Sequence, residues 1–95
     1  MMPRAQYPSR DAIYDAIGAE RDHQDIKHGS PYSNPHQKAT WLLLIEAELA
    51  EAKLAVIKGG VGRDSWSHEL IQVAALCVAA LEQHGIEEGN GKREI

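Results

Sequence analysis

Apolar residues recur at helical spacing through three stretches of this chain, and no stretch alternates with the two-residue period of a strand. The first stretch opens at Ser9, a good N-cap after Pro8, with Asp11 in the turn where the helix dipole favours negative charge. It runs to about Lys27 and stops at Gly29. Ile13, Ala16 and Ile17 share a face that continues as Glu20, Gln24 and Lys27, all within about 100° of arc. An apolar stripe that turns polar marks either a frayed helix end or the wall of a polar cavity. Gly29–Gln37 reads as a loop. The second helix starts either at Asn34, with Pro35 at the first helical position and Gln37 completing a capping box, or at Thr40. It runs to Lys58 and ends at Gly59-Gly60. Trp41–Ile45 is apolar on every side, and a helix apolar all round needs cover all round. One small chain supplies few neighbours, so a homo-oligomer is expected. Asp64 or Ser65 caps the third helix, which runs to about His84, with Gly85-Ile86 as a Schellman ending. Its small residues Ala74, Ala75, Ala79 and Ala80 let helix axes approach closely. Residues 1–8 and 87–95 read as weakly held ends around an ordered core of about 9–85. The pattern predicts a single all-α domain over residues 1–95: three antiparallel helices in a bundle completed by oligomerisation.

Composition narrows the function classes. At 95 residues the chain is one small domain with little stability to spare. A formal net charge of −4 with scattered Lys and Arg argues against binding a nucleic-acid polymer, which needs a basic stripe. A pocket for one phosphorylated small molecule is compatible with it. Cys77 is the sole cysteine, so no internal disulfide forms, and its apolar setting in Val73–Leu81 predicts an inert thiol. Met1-Met2-Pro3-Arg4 opens no signal-like segment, and the apolar runs are too short to span a membrane. The expectation is a cytoplasmic protein with no membrane partner.

The chemistry lies in two short patterns on consecutive helices. Glu48-Leu-Ala-Glu51 and Glu69-Leu-Ile-Gln72 each space their polar ends i, i+3. That sets side chains about 60° apart on one face, with Cβ atoms roughly 5–6 Å apart. Glu48 and Glu51 share a face with Leu44 and Ala55, and Glu69 and Gln72 with Leu76. If the helices pack antiparallel, three carboxylates and an amide converge in an apolar setting, where like charges need a cation. A hard ion such as Mg2+ takes such oxygen ligands and commonly joins them to substrate phosphates. The competing reading is a solvated glutamate face, as holds for Glu46. Arg21, Gln24 and Lys27 are candidates for contacts to a phosphorylated molecule, which needs positive donors beyond a metal; a solvated helix end is the alternative. Lys53 is a weaker candidate, and Trp41 and Trp66 read as core or interface residues. His68-Glu-Leu-Ile-Gln72 lacks the second histidine of a zinc-protease motif and is rejected as one.

With those residues in view, the chain resembles the MazG-like nucleotide pyrophosphohydrolases of the all-α NTP pyrophosphatase superfamily. That family carries Glu-x-x-Glu on one helix and Glu-x-x-Asp on the next, matched here by Glu48, Glu51, Glu69 and Gln72. The segments 19–29 and 69–82 also resemble small MazG-like proteins, many of them phage-encoded. The resemblance covers roughly residues 10–85 and implies Mg2+-dependent (or Mn2+-dependent) hydrolysis of a nucleoside triphosphate to a monophosphate and pyrophosphate. It implies that Glu48, Glu51 and Glu69 hold the metal and serve catalysis, that Arg21, Gln24, Lys27 and Gln72 face the substrate, and that the protein is a homodimer or a dimer of dimers. Gln72 departs from the family's Asp, Ala47 stands where many relatives have Glu, and His28 where many have Trp. The first departure favours a relative that binds nucleotides without cleaving them; a second alternative is a helical interaction module whose acidic residues merely solvate it.

Overall fold

The computed structural model describes residues 7–87. Three helices fill it: α1 (Arg10–His28), α2 (Lys38–Lys58) and α3 (Trp66–His84), with a single 3-10 turn at Gly62–Asp64. No strand occurs among the described residues, and none of their helices is long and apolar enough to cross a membrane. The all-α architecture follows the pattern of the sequence. The expected weak ends, 1–6 and 88–95, lie outside the described residues.

Local chemistry sets the boundaries. The Ser9 hydroxyl accepts from the Ala12 N–H at 3.1 Å, and Ser65 accepts from the His68 N–H at 3.2 Å, so Ser65 rather than Asp64 is the cap of α3. The start of α2 differs from both expectations: Gln37 occupies the N-cap position and its side chain caps nothing. Asn34 is drawn elsewhere, its amide donating to the His28 carbonyl at 3.5 Å and so closing the end of α1. Gly59 ends α2 in the left-handed region at φ 65°, ψ 39°. At Gly60 a Cβ would fall 2.1 Å from the Asp64 carbonyl oxygen, so only glycine permits this tight return to α3. Gly85 has φ 79° but ψ 175°, outside the left-handed well, so α3 ends without the predicted Schellman motif.

α3 is the shared element: α2 packs along it as an antiparallel hairpin, and α1 packs on it as well. Ala75 and Ala79 of α3, with Ala52 and Ala55 of α2, are buried. Small side chains therefore bring these helices close, as the alanine-rich stripe predicts. Trp41 closes the far end of the hairpin, its indole N–H donating to Gln83 Oε1 at 2.8 Å. The same oxygen accepts from the His36 N–H at 3.0 Å, and Gln83 Nε2 donates to the His36 carbonyl at 2.7 Å. One glutamine thus fixes the loop against the hairpin. Trp41 and His36 meet edge to face, ring centres 4.9 Å apart.

Two faces depart from what periodicity implies. On α1 the apolar start of the stripe is the exposed part: Ile13 and Ala16 face solvent, whereas Glu20 and Arg21 are buried and Gln24 half-buried. Arg21 and Gln24 sink because they find partners on α3, while nothing in the described chain covers the apolar end. On α2, Leu42 and Leu43 remain 63% and 64% exposed, and Val56 and Ile57 are also open. A single chain leaves the all-round apolar segment uncovered.

Candidate functional site

A cleft of about 410 Å3 opens between α1 and α2, over α3. Glu20, Arg21, Gln24 and Lys27 of α1 form one wall, and Trp41, Leu44 and Glu48 of α2 the other. Gln72, Leu76 and Ala79 of α3 form the floor, and His36 and Arg63 reach in from the loops. The volume falls in the range of small-molecule sites.

Antiparallel packing brings Glu48, Glu69 and Gln72 together. The Gln72 amide makes good hydrogen bonds in one orientation: its nitrogen donates to Glu48 Oε2 at 2.9 Å and Glu69 Oε2 at 3.3 Å, and its oxygen accepts from His68 Nε2 at 3.2 Å. The opposite orientation turns the amide oxygen toward two carboxylate oxygens. That cluster of acceptors is satisfied by a cation among them or by a proton on one carboxyl. Glu69 is buried and Glu48 half-buried. Burial, followed by the charges of Glu69 and Glu51, a hydrogen-bonding contact with Glu69 and the charge of Glu20, pushes the Glu48 carboxyl above its ordinary range. Glu51 is exposed and acts on Glu48 through its charge rather than by closing around the same point. Among the described residues no three His, Cys, Asp or Glu side chains stand together as a ready ligand set. Two carboxylates and an amide oxygen nevertheless make a hard-oxygen donor set of the kind Mg2+ and Mn2+ accept, with water completing the shell.

Arg21 sits at the other end of the cleft. It is 6% exposed. Its Nε donates to Glu82 Oε2 at 2.5 Å, and its Nη1 lies 2.7 Å from Asp25 Oδ1, a close ion contact that is off the hydrogen-bond direction. Burial opposes the guanidinium charge, but Glu82 and Asp25 more than restore it, holding the pKa above its ordinary value. Nη2 has no partner among the described residues. Gln24 donates through Nε2 to the Gln72 backbone carbonyl at 3.5 Å, which leaves its buried Oε1 as a free acceptor. Lys27 is exposed on the rim, and neither it nor Arg63 makes an ion pair among the described residues.

Arg21, Gln24, Lys27, Glu48 and Gln72 all line one cleft, whereas Glu69 borders it through Gln72 and Glu51 stands outside it. Lys53 is exposed and lines none of it. Trp66 is half exposed, and Trp41 is both buried core and cleft wall. Sequence reading passed over Arg63, His36 and Gln83 as site residues. Arg63 and His36 sit in connectors, with no periodic neighbour to give them a face, and Gln83 lies in the last turn of α3, where periodicity does not announce its tie to the loop. Glu20 was legible as part of the polar stripe, and its burial against the cleft is the signal that raises it. Compared with known proteins, the chain matches no family model, no curated protein and no solved structure.

Proposed function

We propose that this protein is a metal-dependent nucleotide pyrophosphohydrolase, cutting a nucleoside triphosphate between the α and β phosphates, as its resemblance to MazG-like enzymes implies. The observation that supports this reading best is the meeting of Glu48, Glu69 and Gln72 at the wall of a cleft that also carries Lys27 and Arg63. Glu48 and Glu69 would hold Mg2+ (or Mn2+), with Glu51 supplying further charge from the next turn. The ion, when bound, would polarise phosphoryl oxygens and acidify a water. Lys27 and Arg63 are the cleft's unpaired cations among the described residues and would meet phosphate oxygens. The apolar walls at Leu44 and Leu76 would limit water around the reacting group. Self-association through the exposed faces of α2 belongs to the same reading, as does a cytoplasmic location.

The experiment is pyrophosphate release from a panel of ribo- and deoxyribonucleoside triphosphates, with Mg2+, with Mn2+ and with chelator. Metal-dependent release supports the enzyme, and Glu51→Gln is expected to weaken it while leaving the circular dichroism spectrum unchanged. Full turnover by Glu51→Gln would remove that residue from the mechanism.

A second reading has its own support. The Gln72 amide fills the space between the carboxylates with two N–H bonds and needs no ion to do so. A protein that binds nucleotides without cleaving them would show saturable binding and no pyrophosphate under any of these conditions.

A further inference from the structure

Resting on the nucleotide reading, we infer that Arg21 is the residue that reads the base, not a clamp on the phosphates, and that the base carries a carbonyl acceptor. The first reason is charge. A phosphate clamp needs surplus positive charge, yet Arg21 is already matched by two carboxylates, Glu82 and Asp25. The Arg21–Asp25–Glu82 group carries a net negative charge, which disfavours a phosphate beside it. What Arg21 retains is a buried Nη2 with no partner among the described residues, on a side chain that lines the cleft. Leaving such a donor empty is costly, so a ligand acceptor belongs there.

The second reason is position. Gln72 and Glu82 are ten residues apart on α3, about 15 Å along the helix. The Glu48–Gln72 contact lies at the first level, and the Arg21–Glu82 contact at the second. At that second level the cleft wall is aromatic. Trp41 and His36 form an edge-to-face corner that Gln83, next to Glu82, holds through three hydrogen bonds. An aromatic corner beside one buried N–H donor suits a heteroaromatic ring that presents a carbonyl oxygen. Guanine, cytosine, uracil and thymine do so; adenine accepts only through ring nitrogens, each with a single in-plane lone pair where a carbonyl oxygen has two. Phosphates would then lie at the opposite end, toward Glu48, Lys27 and Arg63. The cleft is therefore polarised along its length, with hydrogen-bond readout at one end and free charge at the other.

The test separates the two ends with two probes, phosphate-free nucleosides and inorganic tripolyphosphate. Each is titrated calorimetrically into the wild-type chain and into Arg21→Lys, which keeps the charge but loses the planar fork. Guanosine and cytidine are expected to bind the wild type more tightly than adenosine. Arg21→Lys is expected to weaken them by about tenfold and to leave tripolyphosphate within twofold. Should Arg21→Lys be too unstable to titrate, the wild-type NMR signals decide. Nucleosides are expected to shift the Arg21 Nε–H and the Trp41 indole N–H, and tripolyphosphate neither. The inference is overturned if Arg21→Lys, or the Arg21 signal, responds to tripolyphosphate and not to nucleosides. It is also overturned if tripolyphosphate binds while no nucleoside does. Adenosine binding as tightly as guanosine would refute the carbonyl preference. A wild-type chain blind to nucleosides, nucleotides and tripolyphosphate alike would instead defeat the nucleotide reading on which the inference stands.

Discussion

Replacing Gln72 by Asp probes the carboxylate cluster most directly, because it exchanges an internal donor for another charge. In the metal-free protein the amide donates to Glu48 at 2.9 Å and to Glu69 at 3.3 Å. Hydrogen bonds to charged acceptors contribute about 1.5–3 kcal/mol each, and the longer one belongs at the lower end. Asp loses both and adds a like charge, whose repulsion at about 5 Å and an effective dielectric near 20 is of order 3 kcal/mol per neighbour. Partial exposure and relaxation of the shorter side chain reduce that sum to a net loss of roughly 2–4 kcal/mol. For a domain of this size such a loss lowers the melting temperature by about 10–25 °C. Mg2+ reverses the sign of the new charge's contribution. At a hundredfold excess over its dissociation constant a bound ion returns about 2.7 kcal/mol. The assay is thermal unfolding followed by circular dichroism, with chelator and across a Mg2+ titration. Gln72→Asp is expected to melt well below the wild type in chelator and to gain much more from Mg2+. An unchanged melting temperature in chelator would mean that the amide does not bridge the carboxylates. An unchanged Mg2+ response would place residue 72 beyond the reach of any ion.

Glu48 makes stability depend on pH in the direction opposite to most paired carboxylates. Its pKa is raised on folding above the ordinary 4.5, so its contribution is neutral at lower pH, where it is protonated in both states, and unfavourable once pH exceeds the folded value. Glu48→Gln is therefore expected to stabilise the metal-free protein in urea melts at pH 7 and to have little effect at pH 4; equal effects at both would remove Glu48 from the strained set. The exposed Leu42 and Leu43 lead to a separate expectation. The double change Leu42→Ser, Leu43→Ser should shift sedimentation from oligomer to monomer with helix content retained, and a wild type that sediments as a monomer at high concentration would refute an interface there.

Much of the fold was legible because its signals are local. Ser9, Gly29, Gly59 and Ser65 bound helices for reasons that reside in single residues and their immediate neighbours. The start of α2 was not legible, because Asn34 and Thr40 offered competing caps and the chain used neither. Asn34 was claimed by the His28 carbonyl, a partner in the preceding helix. The convergence of Glu48, Glu69 and Gln72 could be read from two i, i+3 spacings and one short connector. The direction of burial on α1 could not: Arg21 is buried through Glu82, sixty-one positions away, and no periodicity announces that pairing. His36 and Gln83 were hidden for the same reason, whereas Arg63 lies in the Gly62–Asp64 turn with no periodic neighbour to give it a face.

The first helix is fastened to the rest chiefly by polar ties: Arg21 to Glu82 and Gln24 to the Gln72 carbonyl, with Tyr32 just beyond it donating to the Glu82 carbonyl at 3.1 Å. A panel hung on a few directional hooks has a smaller greasy seam to part than the alanine-lined hairpin, so it is the part of the fold expected to open first. Access for a guest molecule thus need not await global unfolding. A guest that touched both panel and hairpin would become one more hook, so that filling the cavity would also stiffen the protein.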